Sequence, residues 1–172
     1  LLGVGNKPGG YTAADVETVQ ALAALMLDLM ARKQAEAALR ASEMKLRAIY
    51  QAIPVPTYTW QAAGDDFVLS DFNAIALKFT GGQIANLVGA KASTLYRDNP
   101  DILADLARCL NEQTAFEREM DYQFRTTGVT RRFVVKYAFV APDLILVHTD
   151  DISERQQAEA AARRQAERTE AL

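Results

Sequence analysis

The chain has 172 residues, 49% of them hydrophobic and 24% charged, with a formal net charge of −3; this is ordinary for a globular protein, and no basic face or stripe suggests a nucleic-acid footprint. A single cysteine, Cys109, excludes an internal disulfide and a thiolate zinc site. The longest apolar run, Ala21–Leu27, falls far short of the roughly 20 residues that cross a bilayer, so with no signal peptide visible the expectation is a cytoplasmic protein with no membrane segment.

Residues 1–11 hold four glycines and a proline and read as a strand end followed by a loop. Thr12 is a suitable N-cap and Asp15 suits the first turn of a helix. No Gly or Pro then intervenes until Pro54, which predicts one long helix or two joined end to end. Two heptad seams run along it. The first is Val16, Val19, Ala23, Met26 and Met30; the second is Ala35, Leu39, Ser42, Leu46, Ile49 and Ile53. The seam slips phase across Arg32-Lys33-Gln34, where a domain's last helix is expected to become a linker.

Beyond Pro54 the chain predicts a hairpin, with strands at Thr57–Gln61 and Phe67–Ser70 and a turn at 62–66. Short helical pieces follow at Ala74–Phe79 and Gly82–Val88, and a clearer amphipathic helix spans Asp101–Glu112. Three strands come next. Phe116–Arg125 alternates strictly, Thr126-Thr127-Gly128 turns the chain into Thr130–Val140, and Pro142-Asp143 turns it into Leu144–Asp150. Ser153 can cap a last helix. Two strand clusters with helices between them predict an α+β fold: one five-stranded antiparallel sheet with short helices on one face, flanked by long N- and C-terminal coiled-coil helices.

The flanking helices resemble each other. Arg32-Lys33-Gln34-Ala35-Glu36-Ala37-Ala38-Leu39-Arg40 returns as Arg155-Gln156-Gln157-Ala158-Glu159-Ala160-Ala161-Ala162-Arg163. The separation is about that of a small domain plus its linker, so the pattern reads as rod, module, rod. Their seams are unequal. The first rod is expected to form a parallel homodimer through Leu39, Leu46, Ile49 and Ile53; the second offers Ala158, Ala162, Gln165, Thr169 and Leu172 and should be weakly held.

Several stretches together resemble the PAS sensor domain family. Leu144-Ile145-Leu146-Val147 leading into Asp151-Ile152-Ser153-Glu154-Arg155 is similar to the strand and PAC-type motif that close such domains and open a signalling helix. Asn73-Ala74-Ile75-Ala76-Leu77-Lys78-Phe79-Thr80-Gly81 and Ile84-Ala85-Asn86-Leu87-Val88-Gly89 resemble the family's "N-x-A-x-x-x-x-T-G" helix and "E-L-I-G" turn, and Arg47–Pro54 its lead-in. Residues 1–7 with Tyr11–Val16 resemble the last strand and helix of a GAF domain. The resemblance implies a GAF remnant at 1–30, a linker helix at 31–53, a PAS domain at 54–152 and a signalling helix at 153–172. It implies a sensory or relay module of a bacterial signalling protein, with a GAF domain upstream and an output domain downstream in cis, a histidine kinase or a cyclic-dinucleotide enzyme. A chain that starts at Leu1 without Met is read accordingly as part of a longer protein. The alternative is a ligand-free dimerisation spacer, its interior filled by its own aromatic side chains.

Candidate chemistry is sparse. No nucleophile–base pair is visible, so no enzyme is expected. His148, the only histidine, lies in a strand pattern and reads as a sheet histidine or a ligand contact. The family's haem-binding members carry a His in the helix that here spans Asp101–Glu112, and its flavin-binding members a Cys near Ala92–Tyr96; both are lacking, so neither cofactor is expected. Cys109 reads as a small buried hydrophobe. Asp65-Asp66 and Asp150-Asp151 read as turn and cap residues rather than metal ligands. Arg118 stands on the otherwise apolar face of its strand, where a buried guanidinium needs a carboxylate or an anionic ligand; either its stem packs and its head snorkels to the edge, or it anchors a small carboxylate ligand, with Tyr122 and His148 as further ligand-contact candidates. For signal coupling, Asp151 is expected to accept amides at the helix start and to pair with Arg155, while Ile152 anchors in the core and Ser153 caps.

Overall fold

The computed structural model describes residue 5, residues 7–124 and residues 128–170. The expected strand end in residues 1–4, the turn residues Thr126 and Thr127, and the side chains of Thr169 and Leu172 lie outside the described residues. The chain divides into two compact units, Leu1–Ile49 and Tyr50–Leu172.

The first unit is built on helix α1 (Ala13–Ala52), 40 residues that continue unbroken through Arg32-Lys33-Gln34. Its start is a reciprocal cap. The Thr12 amide donates to Asp15 Oδ2 at 2.8 Å, the Thr12 hydroxyl donates to the same oxygen at 2.6 Å, and Lys7 Nζ reaches it as well. These donors, Lys7 foremost, hold the Asp15 carboxyl at about 2. No α1 side chain is buried. The exposed apolar residues include Leu22, Leu25, Met26, Leu29 and Met30, then Leu39, Leu46 and Ile49. Val19 and Ala23 are half-buried.

In the second unit β1 (Thr57–Ala63) and β2 (Asp66–Phe72) form the expected hairpin. Helix α2 (Ala74–Phe79), a 3-10 turn (Gln83–Leu87), α3 (Ala92–Leu95) and α4 (Pro100–Glu112) follow. Strands β3 (Phe116–Gln123), β4 (Thr130–Val140) and β5 (Leu144–Asp151) complete one sheet, and α5 (Ser153–Glu170) leaves from its end. The strand order is β2-β1-β5-β4-β3 and every neighbouring pair is antiparallel. No helix among the described residues is long and apolar enough to cross a membrane.

Period-2 alternation sets the core. Trp60, Leu69, Val135, Tyr137, Ile145 and Val147 form one cluster with Ile84, Ala92, Leu106 and Cys109 of the helices. Cys109 is fully buried and its Sγ–H donates to Thr114 O at 3.3 Å, the small-hydrophobe role expected of it. Gly81 and Gly82 hold φ of +59° and +84°, a left-handed pair that closes α2 and starts the 3-10 turn.

Helix α3 has no counterpart in the expected elements. Its four residues are too few for a periodic signal, and its own N-cap residue, Lys91, makes no side-chain cap bond. The cap comes from a distant strand: Asp66 accepts the Ser93 amide at 3.2 Å and the Ser93 hydroxyl at 2.6 Å. Burial pushes the Asp66 carboxyl up, but these Ser93 bonds and the Phe67 amide bring it below its usual value. Asp66 is thus the cap residue it was read as, on a helix that was not foreseen.

Candidate functional site

The helices do not seal against the sheet. A cavity of about 440 Å³ remains between them. The aromatic residues that were numerous enough to fill the interior therefore line it instead. Strands β1, β3, β4 and β5 form its floor through Tyr58, Tyr122, Tyr137 and Thr149 among others; α4 and the 3-10 turn form its roof through Ile102, Leu106 and Ile84. Four of the six tyrosines of the chain face this space. Phe79, Phe124 and Phe133 form an edge-on cluster in the same wall, with centroids 5.9–6.2 Å apart.

Among the described residues no Asp, Glu, Lys, Arg or His lines the cavity. Its polar groups are the tyrosine hydroxyls, Thr80, Gln83, Thr94 and Thr149. Burial pushes Tyr58 up to about 12, with the Thr149 hydroxyl beside it opposing the rise and Tyr122 adding to it. Burial likewise raises Tyr96 and Tyr137, so these phenols stay protonated and act as donors at neutral pH. Thr149 Oγ1 and Tyr137 Oη are buried with no well-formed hydrogen bond among the described residues.

The structure separates the three expected ligand contacts. Tyr122 lines the cavity. Arg118 does not; its guanidinium turns to α4, with Nη2 at 2.9 Å from Asp105 Oδ2 and Nη1 at 3.6 Å from Asp101 Oδ2. The carboxylates that Arg118 meets are the protein's own, so it neither snorkels free nor anchors a ligand, and its reading as a ligand anchor is corrected. Asp105 is 8% exposed. Burial, the largest influence, lifts its carboxyl above the usual range even though Arg118 pulls it down. Arg108, one turn on, lies 4.5 Å over the Phe116 ring and closes the same edge.

His148 is also outside the cavity, because Val147 and Thr149 on either side of it take the cavity face. It sits on the opposite face, where Nδ1 is 2.8 Å from Thr57 Oγ1. Burial first, and Lys136 across the strand second, lower its pKa. Thr57 belongs to a buried hub on that face. Asn73 there makes four bonds: it accepts from the Thr57 and Ala76 amides at 3.0 and 2.9 Å and donates to the Ile53 and Val55 carbonyls at 3.0 and 2.8 Å. Tyr50 Oη lies 3.0 Å from Thr59 Oγ1, and the Gln51 amide donates to Phe72 O at 3.2 Å. The end of α1 from Tyr50 onward is thereby tied to β1, β2 and α2.

At the other end, β5 passes into α5 through Asp151, Ile152 and Ser153. Asp151 Oδ1 accepts the Ser153 amide at 3.0 Å, as expected of a residue at the strand end. Its ion-pair partner is corrected: Arg131 Nη1 lies 2.8 Å from Oδ2, whereas Arg155 pairs with Glu159 one turn on in α5. A helix projects Arg155 away from the strand, while the β4–β5 register brings Arg131 alongside. Burial raises the Asp151 carboxyl, but Ser153 and Arg131 outweigh it and leave the net pKa below the usual range. Ser153 does not cap its own helix with its side chain. Its Oγ accepts the Arg132 amide at 2.9 Å, and the Ile152 amide donates to Arg132 O at 2.9 Å. Ile152 is 3% exposed and anchors the junction.

Neither a family model nor a curated protein matches the sequence. Solved structures do match. The Rhodobacter sphaeroides LOV protein superposes with a TM-score of 0.55 at 18% identity, covering 72% of this chain and 73% of its own. The PAS domain of an HTR-like protein from Haloarcula marismortui gives 0.51 at 20% identity, over 70% of this chain and 99% of its own. The PAS domain of BvgS from Bordetella pertussis gives 0.52 at 18%, over 77% and 99%. The fold is a PAS fold.

Haem and flavin, the groups that the PAS resemblance brings into question, can be tested against this cavity. The only thiol, Cys109, is not in its wall and is hydrogen-bonded to Thr114; the only imidazole, His148, is on the far face of the sheet. No cation among the described residues lines the cavity to meet a nucleotide phosphate. The residues present do not fit a thiol-linked flavin nucleotide or a histidine-ligated haem. The expected dimer seam residues Leu39, Leu46 and Ile49 are exposed in the single chain, and Ile53 is half-buried. Among the residues that sequence reasoning left without a role, Tyr58 and Thr149 carried a signal in the strand alternation; Arg131 and Asp105 carried none, because their partners lie on other elements.

Proposed function

We propose that the chain is a sensory and signal-relay PAS module of a bacterial signal-transduction protein. It senses the occupancy of the cavity and passes it through β5 into α5, toward an output domain in cis such as a histidine kinase or a cyclic-dinucleotide enzyme. Residues 1–30 are the tail of an upstream GAF domain, and the module works as a cytoplasmic parallel homodimer through Leu39, Leu46, Ile49 and Ile53. Exposure of Leu39, Leu46 and Ile49 along α1 supports the dimer.

The observation that carries this reading is shared occupancy of one strand. Val147 and Thr149 of β5 line the cavity, and Asp151 of the same strand holds the first turn of α5. A displacement of the cavity floor has a short covalent path to the helix. The cavity itself supports ligand sensing over the role of a filled spacer. Hydrogen exchange provides the test. Val135→Phe adds bulk to the cavity floor beside Thr149, its register partner. Amides of α5 should change their exchange several-fold, and unchanged α5 exchange in a folded Val135→Phe protein would remove the relay.

A further inference from the structure

We infer that the cavity takes a neutral, two- to three-ring aromatic molecule bearing a hydrogen-bond acceptor, and that it rejects anions. This rests on the sensory reading above and adds the chemical class of what is sensed.

Charge decides the first part. With no charged side chain among the described residues of the wall, a carboxylate or phosphate entering the cavity would lose water and meet no cation there. Arg118, the nearest candidate on the cavity-side face of β3, is held by Asp105 and Asp101. Withdrawing it to serve a ligand would strand the Asp105 carboxylate, which is 8% exposed.

Shape and surface decide the second. A cavity of roughly 150 Å³ holds a single benzene ring. The volume here is about 440 Å³, enough for two or three rings. The Phe79–Phe124–Phe133 cluster presents ring edges and faces, which suit a planar ring better than a flexible chain.

Hydrogen bonding decides the third. Tyr137 brings a buried phenolic O–H to the floor and Thr149 a buried hydroxyl, neither with a well-formed bond among the described residues. Protonated phenols offer donors to an incoming carbonyl or ether oxygen. A wall with poorly satisfied hydroxyls and no charge among its described residues selects a ligand with one polar edge.

Calorimetric titration of the whole chain at pH 7 with three probes tests this. The probes are 2-acetylnaphthalene, 2-naphthoate and 1-decanol. The ketone should bind saturably, one per chain, and at least about tenfold more tightly than naphthoate or decanol. Thr149→Val should weaken the ketone roughly three- to tenfold. Leu106→Trp from the roof and Thr94→Trp from α3, each checked for folding by circular dichroism, should abolish binding. Naphthoate binding as tightly as the ketone, with both Trp variants blocking it, would overturn the neutral class and leave the sensory reading standing. Decanol binding more tightly would overturn the aromatic class alone. Ketone binding that survives both Trp variants, or no binding of any probe, would overturn the proposal; the α5 exchange experiment then decides separately whether the relay also falls.

Discussion

The two faces of the central sheet solve opposite problems. Around β1 and β5 the outer face is polar and complete: Asn73 makes four bonds, and Thr57, Thr59, Tyr50 and His148 all find partners. The inner face is apolar and incomplete, with about 440 Å³ of space and hydroxyls of Thr149 and Tyr137 that lack well-formed bonds. A satisfied polar cluster has nothing left to offer a ligand, and it fixes geometry. Unmet donors beside an unfilled volume are where a ligand can gain what the protein has left open. The contrast places structure-holding on one side of β1 and β5 and recognition on the other, with the same two strands serving both.

Three substitutions bear on that contrast, in falling order of effect. Asn73→Leu would leave the Thr57 and Ala76 amides and the Ile53 carbonyl without partners, while the Val55 carbonyl keeps the Thr57 hydroxyl at 3.0 Å, and stability by urea denaturation should fall by about 3 kcal/mol. A loss below about 1 kcal/mol would mean that the outer hub is not what holds α1, β1 and α2 together.

Arg118→Met should cost about 2 kcal/mol at pH 7. That is less than the 3–5 kcal/mol typical of a broken buried pair, because the Arg118 side chain is 32% exposed and solvent screens the pair. The pH dependence follows from Asp105, whose pKa in the folded state burial lifts above its ordinary value of 3.8. The folded state binds the proton more tightly, so the contribution of Asp105 is most favourable below 3.8 and is lost as pH rises through the folded value. Removing Arg118 raises that value further. Thermal melts should therefore show the variant's deficit shrinking in acid and growing toward neutrality. A deficit independent of pH would show that Arg118 acts by packing its stem.

Thr149→Val should change stability by less than about 0.5 kcal/mol, since the hydroxyl makes no well-formed bond to lose. A loss comparable to that of Asn73→Leu would erase the distinction between the two faces. A near-neutral result in the ligand-free protein, together with weakened binding of a carbonyl probe, would sharpen it.

Legibility in the sequence tracked the range of the interactions involved. The long helix, the hairpin and the three last strands follow from capping residues, breakers and period-2 alternation, and their bounds match the structure to within a few residues. The Asp151–Ser153 amide bond was legible for the same reason, being two residues long. Helix α3 was not, because Asp66 caps it from 27 residues away. The partners of Asp151 and Arg118 were not, because Arg131 arrives through β4–β5 pairing and Asp105 from α4. Arg118 illustrates the limit well. Its position on an apolar face left a snorkelling head and a ligand anchor both open, and the pairing with Asp105 depended on where α4 lands.

The sequence by itself determined the PAS-like order of elements, the apolar inner stripe of each strand and the junction residues that open α5, since these rest on local periodicity and capping. Only the tertiary structure decided that the aromatic side chains stop short of filling the interior, that His148 faces away from the space they leave, and that no charged side chain among the described residues enters it. Composition counts side-chain volume but does not say how closely the helices approach the sheet, and a cavity is the small difference between those two large quantities.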